Sequence, residues 1–431
     1  MPSRPFACCE RMGDMAKIYI EGGRRLEGEI RVHGAKNSAL PVLAATLLCR
    51  GVSVIHNCPP LLDVGASIRI LEHLGCVCQR EGSTVIVDST ALTGMDIPDT
   101  LMREMRSSIV FLGAIAARCG QARLSFPGGC ELGPRPIDLH LAALRQLGLT
   151  IEEDHGLLDC RVEGRLRGTS IHLSIPSVGA TENILLAAST ARGRTVIHNA
   201  AREPEISDLA DFLNRAGACI RGAGSDVIEI DGVYDLHGAE HTVIPDRIIA
   251  ATYMAAAAAT GGDLLLRDVE VSHLTAVLDS FRTAGCRIEP GLHTLRITAP
   301  RRPHSVGTVR TMAYPGFPTD AQPPMLAVST LADGPSVFVE NIFENRFKYV
   351  DELARMGARV KVEGRVAVVE GVPALSGATV SATDLRGGAA LVVAGLAASG
   401  VTEIDELRHI DRGYADLEES LRQVGANIKR E

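Results

Sequence analysis

One unit, written six times, constrains this chain more than any other feature. Each copy runs as an apolar helix, a Val/Ile-rich strand, a second and amphipathic helix closing on Gly, and a further strand. The first copy reads ALPVLAATLLCRG, VSVIHN and SIRILEHLGCVCQ, and the third reads ENILLAASTARG, RTVIHN and LADFLNRAGACIR. The fifth (PPMLAVSTLADG, PSVFVEN, VDELARMGARVKV) and the sixth (AALVVAGLAASG, VTEIDE, LEESLRQVGANIK) follow the same order. The Gly ending the second helix recurs as Gly75, Gly148, Gly217, Gly285, Gly357 and Gly425, at separations of 73, 69, 68, 72 and 68 residues. Between a helical pattern and a strand, such a Gly reads as a left-handed C-cap. One such unit cannot bury both its faces and must pack on its neighbours. Open solenoid repeats run roughly 20–50 residues. Copies of about 70 residues predict instead two compact lobes of three units each, in keeping with a chain too long for a single core.

Overlaying the copies shows where the charges fall. Counting back 12 to 15 residues from the glycines closing the first helices (Gly51, Gly120, Gly193, Gly262, Gly334 and Gly400) reaches Lys36, Arg106, Thr181, Arg247, Asp320 and Arg386. A helix N-terminus is already positive, so a cation there is unfavourable for the helix and adds to an anion-attracting field. Arg135, Arg202, Arg346 and Arg412 stand just before second helices. Any one of these could be a surface ion pair. As a set at equivalent positions they predict a cleft between two facing lobes, lined by Arg and Lys, that suits a substrate carrying phosphate and carboxylate. Asp320 is the one acid in the series and follows a stiff PGFPT loop. It reads either as a proton acceptor for a substrate hydroxyl or as a helix cap, and the pattern leaves both open.

The segment PGGCELGPRP (127–136) is the densest run of Gly and Pro, and Cys130 lies in it five residues before Arg135. A nearby guanidinium lowers a thiol's pKa and raises its reactivity. Cys49 and Cys119 on helices, and Cys219 and Cys286 on strands, sit in apolar periodic runs and read as buried small hydrophobes. The eleven cysteines include no CxxC pair, so no zinc site is expected, and reduced thiols in the cytoplasm are the consistent reading. A net charge of −8 and the absence of Trp argue against nucleic acid or an anionic membrane as partner. Ile248 to Thr260 is too short to span a bilayer, and the N-terminus has no apolar h-region. A first strand is expected from Met15 onward, with the preceding 14 residues a disordered extension.

Ten motifs in order carry a resemblance over residues 15–430: GAKN (34–37), MRSSI (105–109), PGGCELGPRPIDLH (127–140), PSVGATEN (176–183), AAREPEI (200–206), PDR (245–247), FPTD (317–320), ENRF (344–347), TDLR (383–386) and HIDRGY (409–414). The chain resembles the bacterial UDP-N-acetylglucosamine 1-carboxyvinyltransferases, within the larger family of enolpyruvyl transferases. The resemblance implies an α/β fold of two lobes, an inverse α/β barrel with three βαβαββ-type units per lobe. One lobe would be residues 15–35 plus 245–431, and the other 36–244. It implies addition–elimination between phosphoenolpyruvate and the sugar 3-hydroxyl, with no cofactor or metal, by a cytoplasmic and monomeric enzyme of peptidoglycan synthesis. Lys36, Arg135 and Arg412 would hold phosphoenolpyruvate, with Arg106, Arg346 and Arg386 beside it. Asn37, Arg106, Arg135, Pro136, Ile137, Asp138, Leu139, Ser177, Val178, Gly179, Asp320 and Ile342 would contact the UDP-sugar. Asp320 would take the hydroxyl proton. Cys130 would protonate the methylene carbon, form a covalent adduct, and be the thiol that fosfomycin alkylates. Two departures stand out: Tyr314 where a His is common, and Ile175-Pro176 in place of a Lys-containing pair seen in some members. The related 3-phosphoshikimate enzymes share the transfer but lack the Gly-Gly-Cys loop. A catalytically silent paralogue that binds UDP-sugar is the reading from another class.

Overall fold

The structure is a computed structural model and describes residues 16–105, 107–126 and 137–431. The N-terminal extension, Arg106, and the loop holding Cys130, Arg135 and Pro136 lie outside the described residues. Twelve helices carry the repeats. They are α1 (Lys36–Ala45), α2 (Leu62–His73), α3 (Phe111–Cys119), α4 (Asp138–Gln146), α5 (Val178–Ala188), α6 (Pro204–Arg215), α7 (Arg247–Thr260), α8 (Thr275–Thr283), α9 (Gln322–Ser329), α10 (Val350–Arg355), α11 (Leu385–Ala397) and α12 (Leu417–Gln423).

The chain divides into two compact units, residues 16–32 with Asp246–Glu431, and residues 33–245. Each holds three four-stranded sheets built to one plan. In the third repeat Ser170–His172 runs parallel to Arg194–His198, Val227–Asp231 pairs antiparallel with that strand, and Cys219–Arg221 forms the outer edge. The sheets close each unit in a circle. The first repeat's strand Val52–His56 takes its parallel neighbour, Glu240–Thr242, from the end of the third repeat. In the other unit Glu27–Arg31 is the parallel edge for Asp263–Arg267, and Ile18–Glu21 fits between Val401–Asp405 and Asn427–Arg430.

Strands alternate buried and exposed residues, whereas the first helix of each repeat is buried nearly all round. Ile248–Ala258 of α7 and Arg386–Leu396 of α11 are continuous buried runs. A helix apolar on every side belongs in a core, and the many Ala and Gly let backbones approach closely. Accordingly α7, α9 and α11 pack on one another inside their unit, and α3 packs on both α1 and α5 in the other. Helices inside and sheets outside make each unit an inverse α/β barrel. Among the described residues no helix is long and apolar enough to cross a membrane.

The six second-helix glycines adopt φ between 87° and 103°. Around Gly75 the turn closes by Gly75 N–H to the Glu72 carbonyl and Cys76 N–H to that of Leu71, both at 3.0 Å, the paired bonds that cap a helix end. Elsewhere the overlay slipped. Gly261, at φ 62°, caps α7 rather than Gly262. Thr181 lies a turn inside α5, because that helix ends at Ala188, well before Gly193. Arg412 caps an intervening short helix, Arg408–Asp411, instead of directly preceding α12.

Candidate active site

The expected site residues fall in both units. In residues 33–245, Lys36 is the first residue of α1 and is buried, its Nζ 2.7 Å from Oδ2 of the still more buried Asp63 on α2. Asn37 beside it is half-buried. At the start of α5 the Ser177 hydroxyl accepts the Ala180 amide at 3.4 Å, an N-cap that leaves Ser177, Val178 and Gly179 half-exposed. The start of α4, with Ile137, Asp138 and Leu139, is joined to this turn through His140. A Cβ on Gly179 would lie 2.7 Å from His140 Cε1, so only Gly allows that approach. Asn183 fixes the junction, accepting the Gly113 amide at 2.7 Å and donating to the Ile109 carbonyl and to His140 Nδ1 at 3.1 and 2.8 Å.

Burial, opposed by Asp138, pushes the His140 pKa down to about 4. The unfolded ring titrates near its ordinary 6.5, so below that pH the unfolded chain binds the extra proton. Stability from the neutral ring is therefore complete above 6.5 and is lost as pH falls toward 4, on the order of 3 kcal/mol in all. The stability gap between the parent protein and His140→Gln, measured by urea unfolding, is expected to narrow over that window. A gap independent of pH would show that the ring is not held neutral.

In the other unit Asp320 lies in the single turn Thr319–Ala321 ahead of α9. Its Oδ1 accepts from Arg346 Nη2 at 2.9 Å and its Oδ2 from Arg386 Nε at 3.2 Å. The two guanidiniums are 1% and 2% exposed and the carboxylate 26%, so the acid is gripped from beneath yet open to solvent. Arg346 also donates to the Thr319 carbonyl at 2.8 Å. Arg386 lies 5.3 Å from the Tyr414 ring, and the Tyr414 hydroxyl is 2.9 Å from that of Thr252. Among the described residues Arg346 Nε, Arg386 Nη1 and Gln322 Nε2 are buried donors with no partner. Buried donors are nearly always satisfied, so this surplus of N–H groups favours an anion. Glu340, fully buried, accepts the Ile342 and Phe343 amides at 2.8 and 3.0 Å and the Thr319 hydroxyl at 3.1 Å. It thereby fixes the exposed Ile342 relative to the turn holding Asp320.

Arg412 is half-buried, and Arg202 is exposed two residues before α6. Tyr314 is accommodated within its unit, donating to the Ser272 carbonyl at 3.3 Å under the Arg247 guanidinium. Among the described thiols, burial raises Cys49, Cys58, Cys78, Cys160 and Cys286 to about 12 and Cys76 to about 11. Cys119 is raised by the same cause. No cluster of potential metal ligands occurs among the described residues. Pattern reading missed Asp63 and Glu340, because acids in a helix first turn and after a strand look ordinary. The signal was present in Lys36: a buried ammonium requires a buried counter-charge.

The model of the EPSP synthase (3-phosphoshikimate 1-carboxyvinyltransferase) family matches residues 20–421. The chain is 54% identical over 416 residues to UDP-N-acetylglucosamine 1-carboxyvinyltransferase 2 of Caldanaerobacter subterraneus subsp. tengcongensis, covering 96% of this chain and 100% of that one. It is 52% identical to UDP-N-acetylglucosamine 1-carboxyvinyltransferase 1 of Symbiobacterium thermophilum, covering 99% and 97%. Among solved structures the enolpyruvyl transferase NikO from Streptomyces tendae superposes with a TM-score of 0.88 at 28% identity, covering 97% of this chain and 99% of NikO. EPSP synthase from Acinetobacter baumannii, at 0.73 and 19% identity over 97% and 100%, shares the fold.

Proposed function

The chain belongs to the UDP-N-acetylglucosamine 1-carboxyvinyltransferases of the EPSP synthase family, and from that premise we propose that it transfers the enolpyruvyl group of phosphoenolpyruvate to the 3-hydroxyl of UDP-N-acetylglucosamine, releasing phosphate. The single observation that carries the chemistry is Asp320, a carboxylate oriented by Arg346 and Arg386 and open on its remaining side.

In the addition step the methylene carbon of phosphoenolpyruvate gains a proton from Cys130. The electron-poor C2 is attacked by the sugar oxygen, whose proton passes to Asp320. The product is a tetrahedral phospho-ketal. In the elimination step the methyl group loses a proton and the C2–O bond to phosphate breaks, leaving the enol ether and inorganic phosphate. Lys36, Arg135 and Arg412 hold the phosphate and carboxylate, while Arg346 and Arg386 stabilise negative charge near Asp320. Asn37, Arg106, Arg135 to Leu139, Ser177 to Gly179 and Ile342 bind the UDP-sugar. Such a product feeds peptidoglycan precursor synthesis in the cytoplasm, and a monomer suffices for it.

The alternative acceptor, shikimate 3-phosphate, is disfavoured by the Gly-Gly-Cys loop and by the close relatives' names. Phosphate release from phosphoenolpyruvate is expected with UDP-N-acetylglucosamine and absent with shikimate 3-phosphate. The reverse result overturns the assignment, and release with neither acceptor favours a silent paralogue.

A further inference from the structure

The first turn of α1 lacks the local supports of a helix start. Ala35 precedes it without a side-chain cap, no acid lies in the turn, and Lys36 places a cation at an already positive end. Pro41 has no N–H, so the carbonyl four residues earlier, that of Asn37, loses its intrahelical donor. Yet this turn carries two residues assigned above to the substrates.

Buried carboxylates from two neighbouring helices supply what the local sequence omits. Asp63 of α2 neutralises Lys36. Asp208 of α6 acts on the backbone instead. One of its oxygens accepts the Ser38 hydroxyl and, at 3.4 Å, the Ile244 amide, and the other accepts His241 Nε2 at 2.9 Å. Ser38, Asp208 and His241 are 0%, 3% and 3% exposed. The Ile244 carbonyl in turn accepts the Ala35 amide at 2.7 Å. Asp208 thus holds α1 on both sides of Lys36 and Asn37, through Ser38 after them and through Ile244 and Ala35 before them. The trio is no nucleophile relay, since Ser38 gives its hydrogen bond to Asp208 rather than to His241, and no solvent reaches it. Nor is packing a sufficient reason, because an apolar contact would join α1 and α6 without desolvating a carboxylate.

We propose that Asp208 is a positioning residue for the transfer. Through Ser38 it fixes the first turn of α1, and with it the place from which Lys36 meets phosphoenolpyruvate. The proposal rests on the activity given above.

Ser38→Ala tests it against Ser189→Ala, which removes an equally buried hydroxyl bonded to the Leu185 carbonyl at the end of α5. The two variants are expected to lose similar, modest stability in urea. Only Ser38→Ala is expected to raise KM for phosphoenolpyruvate, by about tenfold, because a misplaced binding group costs rate out of proportion to the displacement. Asp208→Asn, which turns a donor toward three donors, should move KM at least as far. An unchanged KM in Ser38→Ala overturns the positioning role, even if Asp208→Asn fails to fold. If the parent protein releases no phosphate with UDP-N-acetylglucosamine, the activity falls first and the positioning role with it.

Discussion

Asp320→Asn is expected to lower kcat by about a thousandfold, the scale of a lost general base, while UDP-N-acetylglucosamine still binds. The geometry says why the substitution is informative. The amide keeps the shape of the carboxylate and one acceptor oxygen, so the hydrogen bond from Arg346 or from Arg386 can survive. It cannot accept a proton, and its NH2 group must face one guanidinium. A rise in the dissociation constant of a fewfold is therefore anticipated alongside the kinetic loss. Calorimetric titration with UDP-N-acetylglucosamine and a phosphate-release assay on the same preparation separate the two effects. Near-normal turnover would remove Asp320 as the base and leave it a structural anchor for two buried arginines.

The second large effect concerns Cys130. Cys130→Ser should abolish labelling by fosfomycin and reduce turnover by at least about a hundredfold, since a serine hydroxyl is far less acidic than a thiol. Cys119→Ser should do neither. The contrast gains weight from the described thiols, most of which burial holds in the protonated, poorly nucleophilic form. Cys219 is the exception worth testing, because Arg221 Nη2 lies 3.3 Å from its sulfur. Mass spectrometry of the fosfomycin-treated protein, with the modified peptide identified, decides the matter. Labelling that persists in Cys130→Ser sinks the assignment.

Much of this fold was legible because the same local instructions are repeated. Six glycines at nearly constant spacing marked six helix ends, and all six take the left-handed backbone that the pattern required. Asp320 was legible for a related reason: it broke a series of cations, and the structure supplies the cations that hold it. What could not be read is who pairs with whom across the chain. Nothing local assigns Glu240–Thr242 to a strand nearly two hundred residues earlier, or Asp63 to Lys36. The overlay also failed wherever loop length varied between helix end and glycine, as at Thr181. Counting residues finds periods well, but it finds helix starts only when every connection is equally long.

The circular closure of the sheets bears on how the chain is made. As the ribosome delivers it from the N-terminus, Ile18–Glu21 emerges first but pairs with Val401–Asp405 and Asn427–Arg430, the last strands to appear. The unit of residues 33–245 has no such wait. Its closing strand, Glu240–Thr242, arrives with its own third repeat, and Gly34 bridges Pro245 where the chain enters and leaves. The inserted unit is therefore expected to fold during synthesis, while the unit that surrounds it in sequence stays unfinished until translation ends. Chains halted shortly after residue 245 should already protect the first from proteolysis and leave residues 16–32 open to it.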